Sequence, residues 1–149
     1  MKFRKIKDVK IVRLKKIKDH RGSVLQMIKK NSKYFKKFGE IYFSTLNKNK
    51  KKGWNKHLKL FSNISCISGA VTMILFDDRK INKQFMKIKL SRNNYYLVIV
   101  PPKIWYGFIN NFDGETIIAN CSTLPHSKKE IVKRDLHDKM INFRWDRYE

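Results

Sequence analysis

Four histidines occur in 149 residues, and one of them, His57, closes the run Lys52-Gly53-Trp54-Asn55-Lys56-His57. An imidazole titrates near neutral pH, so a single ring can take a proton and give it back within one reaction cycle. Downstream follow Gly69, Asp77-Asp78-Arg79, and Val100-Pro101-Pro102-Lys103-Ile104-Trp105-Tyr106-Gly107-Phe108. A histidine near the start of one strand, a glycine turn, a second strand and a Pro-Pro turn predict a small β-structure with chemistry at its mouth. Lys59 falls on the His57 face of an alternating stretch, where an ammonium would stabilise a developing oxyanion. Tyr42 and Tyr106 are phenols that can donate to an anionic intermediate. Other chemistries lack their residues. Cys66 and Cys121 have no Cys or His partner at zinc spacing, and no metal is expected. There is no Gly-x-Ser-x-Gly elbow, and the six glycines are scattered singly, so no phosphate-cradling loop forms.

The elements that must position these residues are mostly strands. β-Branched, aromatic and alternating runs predict strands over Val9–Ile17, Ser23–Ile28, Glu40–Leu46, His57–Ile67, Ala70–Phe76, Phe85–Leu90, Tyr95–Val100, Ile104–Ile109 and Thr116–Cys121. Asn47–Gly53 reads as a polar loop, and Pro101-Pro102 removes the ladder donors that would extend a strand. Ser127–Lys133, with Ser127 as cap and Glu130 three residues on, predicts a short helical turn, as does Lys33–Lys37. Some nine short strands at near-regular spacing predict an all-β antiparallel barrel or jelly roll. No linker or repeat interrupts it, so residues 1–149 form one expected domain.

The formal net charge is +23, yet 27 of the 35 basic side chains are lysines spread along the whole chain. Arginine forks are favoured for phosphate and base readout, so this distribution argues against nucleic acid as the partner. A cationic surface would draw in a diphosphate-bearing substrate. Hydrophobic residues make up 42% of the chain, sufficient for a packed core. No run of about 18 apolar residues and no leader-type apolar stretch is found, so no membrane insertion or export is expected. The two cysteines read as buried free thiols in a reducing cytoplasm.

Taken in order, these segments resemble the dTDP-4-dehydrorhamnose 3,5-epimerase family of cupins and its smaller relatives, the sugar-nucleotide 3,4-ketoisomerases. Asp19-His20-Arg21-Gly22 resembles the family's opening Asp-x-Arg-Gly, and Lys52 to His57 its Arg-Gly-x-His segment. Gly69 to Arg79 resembles the Gly-(x)-Asp-x-Arg hairpin. Val100 to Phe108 resembles the Pro-Pro-Gly-x-x-His-Gly-Phe turn, and Asp138 with Trp145 the closing Trp-x-Asp-(x)-Ile-x-Trp segment.

The resemblance implies a cupin-type barrel and proton transfer α to the ketone of a 4-keto-6-deoxy nucleotide sugar. His57 would be the base and Asp138 its orienting carboxylate, with Tyr106, Tyr42 and Lys59 assisting. Arg21 and Lys52 would contact the diphosphate, and Asn55, Asn120 and His126 would complete the substrate site. Asn55 stands at the epimerase base position and His57 two residues later, while Asn120 stands where the epimerases carry their acid tyrosine. Trp54 and Trp105 would floor a pocket or pack in the core; His20 and His137 read as surface residues. No cofactor is implied, since the sugar's carbonyl acidifies its own α-proton. A homodimer is implied, with the Asp19–Gly22 turn reaching the neighbour's site. Epimerisation is the expected reaction. The alternatives are 3,4-ketoisomerisation and a catalytically silent sugar-binding cupin.

Overall fold

The computed structural model describes residues 2–79 and 81–148. Twelve strands are present among them: β1 (Lys10–Arg13), β2 (Lys16–Asp19), β3 (Gly22–Leu25), β4 (Glu40–Leu46), β5 (Lys51–His57), β6 (Ser62–Ser68), β7 (Ala70–Asp77), β8 (Gln84–Ser91), β9 (Tyr96–Val100), β10 (Trp105–Ile109), β11 (Thr116–Ser122) and β12 (Ile131–Lys133). A 3₁₀ turn spans Trp145–Tyr148.

All strand pairings are antiparallel, but the barrel expectation is overturned. The strands form two open five-stranded sheets, ordered β1-β9-β6-β11-β4 and β12-β5-β10-β7-β8, and the β2–β3 hairpin stands apart from both. Neither sheet closes: β1 and β4 remain edges of one, β12 and β8 of the other. Even spacing of short strands announces antiparallel pairing, but closure depends on whether distant edge strands find each other, which spacing does not encode. The edges carry their own protection. On β8, Lys87 and Lys89 face solvent while Met86, Ile88 and Leu90 turn inward, as the alternation predicts.

Consecutive strands mostly switch sheets. Gly69 makes one such switch between β6 and β7 at φ +71°, and a Cβ there would lie 2.6 Å from Thr116 Oγ1, so only glycine fits. Between the sheets lies one apolar core. It draws Ile64, Cys66, Val98, Val100 and Ile118 from the first sheet and Met73, Leu75, Ile88, Tyr106 and Phe108 from the second. A second cluster covers the outer face of the β5–β10–β7 sheet. Trp54, Ile74, Phe76, Trp105 and Ile109 pack there against Ile141, Phe143 and Trp145 of the C-terminal segment.

Local readings change at several points. The expected strand over His57–Ile67 is two strands: β5 ends at His57 and β6 begins at Ser62 in the opposite sheet. The expected loop at Asn47–Gly53 already belongs to β5 from Lys51 onward. The expected helix at Ser127–Lys133 is a turn followed by β12, whose Ile131 pairs with His57 and Lys133 with Asn55. β-Branched Ile131 and Val132 prefer that ladder to a helical turn. The expected helical turn at Lys33–Lys37 is likewise absent: Lys33 and Tyr34 lie in a turn, and residues 35–37 are irregular. No helix among the described residues is long and apolar enough to cross a membrane.

Candidate active site

β5 and β10 pair with Asn55 opposite Tyr106 and Lys56 opposite Trp105. Side chains alternate across a strand, so Asn55, His57 and Tyr106 share the face turned to the other sheet, while Trp54, Lys56 and Trp105 share the outer face. The path of β5 past β10 depends on two glycines. A Cβ on Gly53 would lie 2.8 Å from Gly107 Cα, and one on Gly107 would lie 3.0 Å from the Trp145 ring.

The His57 ring is buried, and both nitrogens are engaged. Nδ1 lies 2.6 Å from Glu130 Oε2, and Nε2 lies 3.0 Å from the Tyr106 hydroxyl. The other Glu130 oxygen accepts the backbone N–H groups of Lys59 at 2.8 Å and Leu60 at 3.0 Å. Burial opposes ionisation of Glu130, but these amides and the His57 ring outweigh it and hold the carboxyl below its ordinary range. An ionised carboxylate saturated by two amides accepts the Nδ1 proton, which leaves Nε2 as the ring's basic lone pair. Imidazole and carboxylate thus meet in a buried interior, where their interaction is strengthened.

Tyr106 and Tyr42 come from opposite sheets. Burial pushes both phenols above their usual value, and each influences the other's ionisation. The Tyr42 hydroxyl accepts Nδ2 of Asn120 at 2.7 Å. Asn120 is 3% exposed, and its Oδ1 has no hydrogen-bond partner. A buried acceptor left open is costly unless a ligand or water completes it. Tyr42, Lys52, Asn55, Tyr106, Phe108 and Asn120 are among the residues lining a cavity of about 80 Å³ between the sheets. Larger grooves of about 540 and 490 Å³ lie along the N-terminal segment and β8 and contain none of the candidate residues.

The sequence-derived candidates therefore divide. Tyr42, Tyr106, Lys52, Asn55 and Asn120 converge on the cavity, with His57 directly behind Tyr106. Asp138 does not reach the imidazole. Its carboxylate pairs with Arg134 at 2.9 Å and receives the N–H groups of Met140 and Ile141 in a turn outside the sheets. Glu130 occupies the orienting position instead. Lys59 lies beyond the end of β5 with an exposed side chain, and it serves the site through its backbone amide rather than its ammonium. Lys52 Nζ is tied to Ser44 Oγ and the Thr45 carbonyl at the cavity rim. Arg21 is exposed in the β2–β3 hairpin, paired with Asp19 at 2.7 Å, and His126 is exposed after β11. Trp54 and Trp105 pack in the outer cluster, not under the cavity. Among the described residues, no group of three or more His, Cys, Asp or Glu side chains could hold a metal ion. Glu130 is the residue the sequence reading misplaced. Its spacing from Ser127 signals a capping box, whereas its role is set by the pairing of β12 with β5.

Comparison with known proteins gives three kinds of result. Residues 7–140 match the family model described as FdtA: WxcM-like, C-terminal. No curated protein matches the chain in sequence. A solved dTDP sugar isomerase from Desulfovibrio desulfuricans G20 is 30% identical, with a TM-score of 0.91 over 95% of this chain and 92% of that one. A 3,4-ketoisomerase from Thermoanaerobacterium thermosaccharolyticum, solved as a mutant with TDP-4-keto-6-deoxyglucose, is 20% identical at TM-score 0.73, covering 87% and 90%. A dTDP-6-deoxy-D-glucose-3,5-epimerase from Legionella pneumophila, solved with dTDP-4-keto-L-rhamnose, is 18% identical at TM-score 0.80, covering 95% and 80%. The last two likenesses are of fold.

Proposed function

The chain belongs to the FdtA, WxcM-like, C-terminal family, and from that premise we propose that it is an isomerase of TDP-4-keto-6-deoxy sugars that moves the ketone from C4 to C3. Its 30%-identical relative is described as a dTDP sugar isomerase, which supports this reading over epimerisation. The observation that carries the choice is the arrangement of proton-transferring groups. Glu130, His57 and Tyr106 form one hydrogen-bonded run, and the cavity position beyond Tyr42 is an amide, Asn120. Epimerisation removes a proton from one face of a carbon and returns one to the other, so it needs a proton donor on each side. Ketone migration removes the proton at C3, passes through an enediolate shared by C3 and C4, and returns a proton at C4. The acceptor and donor positions are adjacent, so one proton-carrying group serves both.

In this reading Glu130 fixes the ring tautomer and balances the imidazolium when His57 holds the proton. Lys52 and the open Oδ1 of Asn120 receive the sugar and its phosphate end. At about 80 Å³ the cavity admits only the reacting part of the substrate, since sites enclosing a whole ligand run to roughly 300 Å³ or more. The exposed Arg21 hairpin is then a diphosphate contact completed by a second copy of the chain. The catalytically silent alternative is disfavoured by the intact pair of base and orienter.

Product NMR after incubation with TDP-4-keto-6-deoxyglucose in deuterated water tests the reaction. A C3 ketone is expected. A retained C4 ketone with deuterium at C3 or C5 would assign epimerisation, and unaltered substrate that nonetheless protects the protein against heating would assign a silent binder.

A further inference from the structure

The His57 ring does not line the cavity; Tyr106 does. The imidazole is 6% exposed and enclosed by Glu130 on one nitrogen and Tyr106 on the other. A substrate carbon in the cavity therefore meets the phenol oxygen before it can meet the ring.

We propose that Tyr106 is the catalytic residue that touches the sugar, passing the proton between the substrate carbon and Nε2 of His57, which works from behind it as a positioned proton store. This rests on the ketosugar reading above. Glu130 accepts Nδ1–H and two backbone amides, so Nε2 is an acceptor and Tyr106 O–H its donor at 3.0 Å. As the C3–H bond breaks, its proton goes to the Tyr106 oxygen while the Tyr106 proton moves to Nε2. The electron pair of the broken bond stays on the sugar and becomes the enediolate. Tyr106 is a neutral phenol before and after, His57 becomes an imidazolium, and Glu130 supplies the opposing charge. Within the enediolate the C3 hydroxyl proton passes to the C4 oxygen, so the carbonyl forms at C3, and reversal of the same two transfers at C4 restores the enzyme. Burial pushes the Tyr106 phenol upward, so a free phenolate is disfavoured and its proton leaves only as another arrives. Tyr42 and Asn120, held together at 2.7 Å, face the same cavity and fix the sugar oxygens.

Tyr106→Phe keeps the ring that packs in the core and removes only the hydroxyl. It is expected to lower ketone migration at least about 100-fold, the scale of general acid–base catalysis, with thermal protection by TDP unchanged. A second readout needs no sugar: in the nitrogen NMR spectrum of the whole protein, the Nε2 resonance of His57 is expected to shift in Tyr106→Phe, while Nδ1, bonded to Glu130, stays in place. Turnover of Tyr106→Phe close to the parent's, or an unmoved Nε2 resonance, would overturn the relay. A parent that leaves every 4-keto sugar untouched, with the Nε2 resonance still moved by Tyr106→Phe, would support the Tyr106–His57 link and overturn the proposed reaction.

Discussion

The two faces of the β5–β10 pair are built from neighbouring residues and do opposite work. The inner face carries His57, Asn55 and Tyr106, with His57 and Tyr106 joined in a run to Glu130, and it faces the open acceptor of Asn120 on β11 across the cavity. The outer face carries Trp54 and Trp105, buried against Phe143 and Trp145. There the polar atoms are all satisfied by scaffold: both Trp54 Nε1 and Trp145 Nε1 donate to the Leu136 carbonyl, and Trp105 Nε1 donates to Asp78. A site keeps hydrogen-bonding capacity in reserve for a ligand, while a structural face spends it all internally. Side-chain alternation lets one strand supply both.

That contrast can be broken from either side. The largest effect is expected on the outer face. Trp145→Ala removes a fully buried indole packed at 5.0 Å from Trp54 and 4.8 Å from Phe143, and it should cost about 3–5 kcal/mol of stability in denaturant melts. Molecules that remain folded should turn over normally, because Trp145 touches no inner-face group.

On the inner face, Glu130→Gln should lower turnover by about 100-fold while leaving most of the fold intact. It should also change the acid limb of stability. The Glu130 carboxyl is held below its ordinary range in the fold. Its contribution is therefore full above the pKa of an unfolded glutamate and is lost as pH falls through the lower folded value. Melting temperatures measured from neutral pH downward should fall more steeply for the parent than for the variant.

Smaller effects sharpen the assignment of the carboxylate. Asp138→Asn loosens the Arg134 pair and the turn that receives Met140 and Ile141, so a slight drop in melting temperature and unchanged turnover are expected. Lys59→Ala should alter neither, because the backbone amide that holds Glu130 survives. A collapse of turnover in Asp138→Asn would return the orienting role to that residue.

What the sequence displayed follows the range of each interaction. The alternation of β8 and the stop of β9 at Pro101 are written in adjacent residues, and the structure follows them. Tyr42, Tyr106 and Asn120 were legible because each lies in a recognisable strand segment, whereas Lys52 and Asn55 were marked only by the family resemblance, since the polar, lysine-rich start of β5 reads locally as a loop. Glu130 was not, because its distance to His57 spans 73 positions and depends on β12 choosing β5 as partner, while the local Ser127–Glu130 spacing reads equally well as a helix start. The split of His57–Ile67 was hidden for a related reason: its alternation is continuous through residues 58–61, and only the switch between sheets breaks it. Sheet closure was likewise undetermined, since open packed sheets and a barrel share the same strand lengths and inward residues.

The central claim is that His57, held by Glu130, is the store through which the ketone's α-proton passes. Its most direct test compares the rate of ketone migration on TDP-4-keto-6-deoxyglucose for the parent and His57→Asn, each checked for thermal protection by TDP. The expected result is active parent, a loss of at least about 100-fold in the variant, and equal protection of both. A His57→Asn protein that works as fast as the parent would contradict the account.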